Sequence, residues 1–190
     1  MQVLEAALHV IASRGLANTR MADISARAGM SSGHVLYYFK TKDKVLMEAL
    51  RFVEDEIHQT AERTLSAVPP GPKRLEALLR LNLPEGSGDP RWMLWLESWT
   101  LAPHDPHVAG LTSQLDHRWI GLLAGVVRDG VDAGAFSCDD VDAFAHRFSA
   151  LFDGLAVQVV TGSHGRTPHS ALRACLEAAA TELGFRPPRG

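Results

Sequence analysis

Apolar residues recur at helical spacing along nearly the whole chain, and no stretch alternates apolar with polar positions as a half-buried strand would. Val3, Leu4, Ala7, Leu8 and Ile11 open the series, which stops at Gly15, a residue suited to the left-handed conformation at a helix C-terminus. Two short helical stretches follow within residues 19–38. Val45, Leu46, Ala49, Leu50, Val53 and Ile57 then mark one face of a long helix over 42–65, broken by Pro69-Pro70-Gly71-Pro72. Leu75, Leu78, Leu79 and Leu83 predict a shorter helix before the turn-forming stretch 84–90, and Trp92 to Thr100 another, closed by Pro103 and Pro106. Leu111, Leu115, Leu122, Val126 and Val131 give a long helix stopped by Gly134. Helices over 141–160 and 172–183 complete the series, the last introduced by Thr167 and Pro168 and ended by Gly184. The expected fold is all-α, with about nine helices and no internal repeat.

The two short stretches read as a helix-turn-helix. Ile24, Ala28, Met30, Val35 and Tyr38 fall where two steeply crossing helices would face each other, Ser25 is small where they come closest, and Gly29 sits at the turn. Thr19 is placed to cap the first helix, and Ser31 or Ser32 the second. On that reading Ser32, Gly33 and His34 point outward, at the end of a helix that fits a DNA major groove about 12 Å wide. Tyr37, Tyr38 and Phe39 run up to Lys42, with Thr41 positioned to cap a further helix. A helix N-terminus with a lysine and a tyrosine hydroxyl beside it suits a phosphate backbone. The candidate DNA-contacting residues are therefore Thr19, Arg20, Ser31, Ser32, Gly33, His34, Tyr37, Tyr38 and Lys42.

The net charge of −3 argues at first against nucleic acid. Its distribution answers the objection. Residues 1–50 carry six Lys and Arg against four Asp and Glu, a net of +2, so −5 falls on the remainder. A modestly basic reading head on an acidic body holds specific sites only when two heads act together.

The run G-L-A-N-T-R-M-A-D-I-S-A-R-A-G-M-S-S-G-H-V-L-Y-Y-F-K-T-K-D-K-V-L resembles the N-terminal domain of the TetR family of bacterial one-component regulators. The likeness covers about the first fifty residues without a gap. It implies a homodimer, a reading head over 1–45, and an effector-binding and dimerisation domain over 46–190 whose ligand releases the DNA. It also implies that the chain begins inside the first helix, without the basic extension many relatives carry. His34 stands where the family commonly has Thr. P-R-W-M-L-W-L-E-S-W, with D-P-H-V, D-G-V-D-A-G-A-F and F-D-G-L-A, resembles the C-terminal domain of the family's BetI branch, which responds to choline.

Residues 141–160 are apolar over more than the stripe a singly packed helix needs. The family pairs its last two helices with those of a second subunit, which implies a dimer interface at Phe148, Phe152, Leu155 and Val159, with Leu172, Leu176, Ala179 and Leu183 opposite; the same residues would equally fill the core of one chain. Trp92, Trp95 and Trp99 lie at helical spacing, with Trp119 on the next long helix. Indoles can wall a pocket for a flat ligand or hold a cation through their π faces, and they are also common core residues. With His117, His146 and Phe152 they form the candidate effector pocket, a quaternary amine or polyamine being the ligand class considered.

His104 and His107 sit in a Pro-bounded stretch without further ligands at metal-binding spacing, and Cys138 and Cys175 are too few for a disulfide framework. No nucleophile elbow, phosphate-binding glycine loop or acid pair is present in the sequence, so the reading is a regulator rather than an enzyme, with no cofactor or metal. No apolar run is long enough to span a bilayer and the start lacks a signal peptide's pattern, so a cytoplasmic protein without a membrane partner is expected.

Overall fold

The computed structural model describes residues 2–187. Among them the regular elements are helices: α1 (Gln2–Arg14), α2 (Met21–Arg27), α3 (Ser32–Tyr38), α4 (Lys42–Ser66), α5 (Pro72–Asn82), α6 (Pro90–Leu101), α7 (Pro106–Asp132), α8 (Val141–Val160) and α9 (Pro168–Leu183), with a 3-10 turn at Ser163–Gly165. Two compact units form, Met1–Glu56 with Gly88–Leu115 and Ile57–Ser87 with Asp116–Gly190. The division falls inside α4 and α7, and it groups α6 with the N-terminal helices.

Three helices begin at the very prolines that read as breaks in the sequence, Pro72, Pro90 and Pro106, and α9 begins, as expected, at Pro168. A proline in the first helical position loses nothing, since its absent N–H would have had no partner there, and its fixed φ is already helical. Acidic and hydroxyl side chains complete three of these starts, those of α6, α7 and α9. Asp89 accepts from the N–H groups of Arg91 and Trp92 at 2.9 and 3.3 Å, Asp105 from His107 at 2.8 Å, and Thr167 and Ser170 bond each other's backbone. His107 thus lies in the first turn of α7 and not in a loop, because that helix, capped by Asp105, starts at Pro106, five residues before Leu111, where the leucine spacing begins.

In the first unit α1 packs on α2 and α6, and α2 on α3, around Ala7, Ile11, Ile24, Val35, Leu46, Leu50 and Leu94, all fully buried. In the second, α8 packs on α9 and α5 on α9, over Leu75, Leu79, Leu123, Phe144, Phe148, Phe152, Cys175 and Ala179. Each large apolar side chain so buried contributes roughly 1.5–3 kcal/mol. Phe144 and Phe148 stack with ring centres 5.2 Å apart, one turn apart on α8. No helix among the described residues is long and apolar enough to cross a membrane.

Candidate nucleic-acid interface and effector region

The turn between α2 and α3 is built on Gly29, which takes φ +65, while the N–H of Met30 returns to the carbonyl of Ser25 at 3.0 Å. Ser31, rather than Ser32, caps α3, its hydroxyl accepting from the N–H of His34 at 3.2 Å. Of the seven residues of α3 one, Val35, is fully buried. Ser32, Gly33, His34, Leu36, Tyr37 and Tyr38 are exposed, Tyr37 to 78%. The rings of His34 and Tyr38 lie 5.2 Å apart edge to face, and those of Tyr37 and Tyr38 5.1 Å apart. A helix that gives one side chain to the core and presents hydroxyls, an imidazole and two phenols has the surface a groove-reading helix needs.

Three sequence assignments change here. Thr19 does not cap α2. Its side chain is 1% exposed and its hydroxyl donates to the carbonyl of Gly15 at 2.8 Å, so it closes the turn after α1 and presents nothing to DNA. The cap position belongs to exposed Arg20, whose N–H donates to the carboxylate of Asp23 at 3.1 Å. Tyr38 is 58% exposed, its ring against those of His34 and Tyr37, while Ile24, Ser25 and Val35 are the buried residues of α2 and α3. Lys42 is half-buried, and its ammonium donates to the carbonyls of Leu16 and Ala17 at 2.9 and 3.3 Å, which turns its charge inward. The exposed cations near the start of α4 are Lys40 and Lys44. Thr41 caps that helix as expected, accepting from the N–H of Lys44 at 3.2 Å.

The predicted effector residues divide between the units. In the first, Trp92 and Trp95 are buried and Trp99 is half-buried, with Trp99 6.2 Å from Trp92 and 5.6 Å from Trp95 between ring centres. The indole N–H of Trp95 donates to Glu54 at 2.7 Å. In the second, Trp119 lies 4.9 Å from Phe152 between ring centres and donates to the hydroxyl of Ser149 at 3.0 Å. His117 and His146 are exposed. Two residues the sequence reading missed accompany this second group: Asp116, one turn before Trp119 on α7, and Asp153, next to Phe152 on α8. Burial, and then the charge of Asp116, push the Asp153 carboxyl up to about 7. Burial raises Asp116 as well, with His117 opposing it. Two carboxylates that resist ionising together welcome a positive charge, and neighbouring aromatic faces can hold a cation through their π electrons.

The eight residues assigned to a dimer interface are buried within one chain: Phe148, Phe152, Leu155, Val159, Leu172, Leu176, Ala179 and Leu183 range from 0 to 7% exposed. They form the contact of α8 with α9 and its surroundings, which leaves them no surface for a second copy. What those helices expose is a different strip, Arg147, Ala150, Leu151 and Gly154 on α8 and Arg173, Glu177 and Thr181 on α9.

Comparison with known proteins agrees with this architecture. Residues 3–49 match the family model for bacterial regulatory proteins of the tetR family, and residues 72–184 the model for the C-terminal domain of BetI-type transcriptional repressors. The chain belongs to the TetR family. It is 32% identical over 174 residues to the HTH-type transcriptional regulator BetI of Paraburkholderia xenovorans, covering 90% of this chain and 87% of that one. Its likeness to BetI of Paraburkholderia phytofirmans is 33% over 107 residues, 55% of each chain. A transcriptional regulator from Saccharomonospora viridis, solved in complex with choline, superposes with a TM-score of 0.87 at 32% identity, over 96% of this chain and 95% of that one. The helix-turn-helix is thus the DNA-binding head of a transcriptional regulator whose C-terminal part is of the ligand-responsive BetI type.

Proposed function

We propose that this regulator is a homodimeric repressor that holds a twofold operator with α3 in the major groove and leaves it when a small organic cation binds. The observation that carries the DNA half is the face of α3, which keeps a single residue for the core. Arg20, Ser31, Ser32, Gly33, His34, Tyr37 and Tyr38 are its contacts, with Lys40 and Lys44 exposed for phosphate. The effector half rests on the Trp119 and Phe152 pair beside Asp116 and Asp153, together with the choline held by the Saccharomonospora viridis regulator. The buried Trp92 and Trp95 favour a second reading for α6, in which its indoles are structural.

A second copy would sit on the exposed strip of α8 and α9, where Ala150 and Gly154 allow close helix approach and Leu151 is 41% exposed. Two heads related by a twofold read both halves of a palindrome, with half-sites about 34–36 Å apart or a multiple of that. The effector must bind the DNA-incompetent state better. A coupling of about 1–3 kcal/mol changes operator affinity roughly 5- to 150-fold. Such a protein acts in the cytoplasm, where its DNA is.

A gel shift with DNA upstream of the protein's own coding region, with and without choline, betaine and polyamines, tests both halves. Retarded DNA that one of these cations releases is expected. Retardation that none of them alters at millimolar concentration would leave a constitutive regulator. Leu151→Glu is expected to convert dimer to monomer in sedimentation and to abolish the shift at concentrations where the unaltered protein binds.

A further inference from the structure

Glu97 and Lys42 lie on different helices and reach the same residue in the turn after α1. The Glu97 carboxylate accepts from the backbone N–H of Leu16 at 2.9 Å, while the Lys42 ammonium donates to the carbonyl of Leu16 at 2.9 Å. Leu16 is 5% exposed, so both of its peptide groups have left water and each meets a full charge, the stronger class of hydrogen bond. Gly15 makes the approach feasible. It takes φ +74, and a Cβ there would stand 3.1 Å from the same Glu97 oxygen.

The bonds close a ring. Two residues before Glu97, Trp95 donates to Glu54 on α4, the helix that begins at Lys42. Helix α6 therefore holds α4 at Glu54 and the α1 turn at Leu16, and α4 holds that same turn through Lys42. Lys42 follows the end of α3 at Tyr38 by four residues, so whatever fixes the start of α4 fixes the pose of α3. Glu97 and Trp95 belong to the segment that matches the BetI-type C-terminal model, Leu16 and Lys42 to the segment that matches the DNA-binding model.

We propose that Glu97 is a positioning residue for DNA recognition, acting through Leu16 and Lys42 to set the presentation of α3 although it touches no DNA. The test is a double-mutant cycle on the full-length protein with Glu97→Ala, Glu97→Gln, Lys42→Ala and the pair Glu97→Ala with Lys42→Ala. Operator affinity, its salt dependence and exchange of the Leu16 amide hydrogen are measured for each. Glu97→Ala is expected to weaken operator binding about tenfold, leave the salt slope unchanged and speed Leu16 exchange. Glu97→Gln, which keeps an acceptor oxygen, is expected to recover most of the affinity, so the proposal stays testable even where the alanine variant folds poorly. The paired variant is expected to be no weaker than the worse single one. Additive losses, a changed salt slope in Glu97→Ala, or full operator affinity despite fast Leu16 exchange would each overturn it.

Discussion

Helices α3 and α6 belong to the same compact unit and use their side chains in opposite ways. Helix α3 buries Val35 and leaves its serine, imidazole and phenols at the surface, the rings of His34, Tyr37 and Tyr38 meeting edge to face. Helix α6 buries Trp92, Leu94, Trp95 and Ser98, and it spends the Trp95 indole on Glu54 and the Glu97 carboxylate on Leu16. One helix is stabilised by few contacts so that its chemistry is available to DNA. The other commits its chemistry to holding the parts in place. Substitutions on the exposed face of α3 should therefore change recognition without stability, while those in the buried face of α6 change stability first.

The largest effect is expected at the held helix. Leu94 is fully buried, and Leu94→Ala should cost about 2–5 kcal/mol of folding free energy, read as a lowered thermal midpoint. An unchanged midpoint would mean that α6 is not held as described. Tyr37→Ala on α3 should leave the midpoint in place and weaken binding to operator and random DNA alike by about 2- to 10-fold, the worth of one hydrogen bond to phosphate. Lys44→Ala should reduce the slope of log affinity against log salt by about one, whereas Lys42→Ala, which removes an ammonium that caps two carbonyls, should instead lower the midpoint.

A pH-dependent effect is expected at α8. Asp153 carries a carboxyl raised to about 7, so it gains its charge as pH rises from 6 to 8, and choline affinity followed by tryptophan fluorescence should rise about tenfold over that span. The same shift works against folding: the folded chain keeps a proton there that the unfolded chain releases near pH 4, so the stability associated with it is lost as pH climbs from about 4 to 7. Asp153→Asn should flatten both dependences, and a pH-independent choline affinity in the unaltered protein would remove Asp153 from the effector site.

The same contrast explains what was legible in the sequence. The helix-turn-helix shows itself because its constraints are local: a glycine at the turn, a serine cap three residues before the N–H it serves, and apolar residues at helical spacing. The prolines misled as to where α5, α6 and α7 start because a proline both ends one helix and opens the next. Thr19 and Lys42 were assigned to DNA because their real partners, the carbonyls of Gly15, Leu16 and Ala17, carry no side-chain signature. Glu97 was passed over for the same reason, its partner being a backbone N–H 81 residues away. Asp116 and Asp153 meet only once α7 and α8 are placed. The apolar breadth of α8 was visible, but a pattern cannot say whether an apolar face is covered by the same chain or by another, and here Phe148, Phe152 and Leu155 are covered by their own.

If the exposed end of α3 reads bases, its imidazole should matter to operator preference and not to folding. His34→Ala measures this most directly, through the ratio of affinities for an operator selected from genomic fragments and for random DNA, taken at one salt concentration beside the thermal midpoint. An unchanged midpoint and an operator preference reduced by about 1 kcal/mol, roughly fivefold, are expected. An unchanged preference, or a loss shared equally by operator and random DNA, would contradict it.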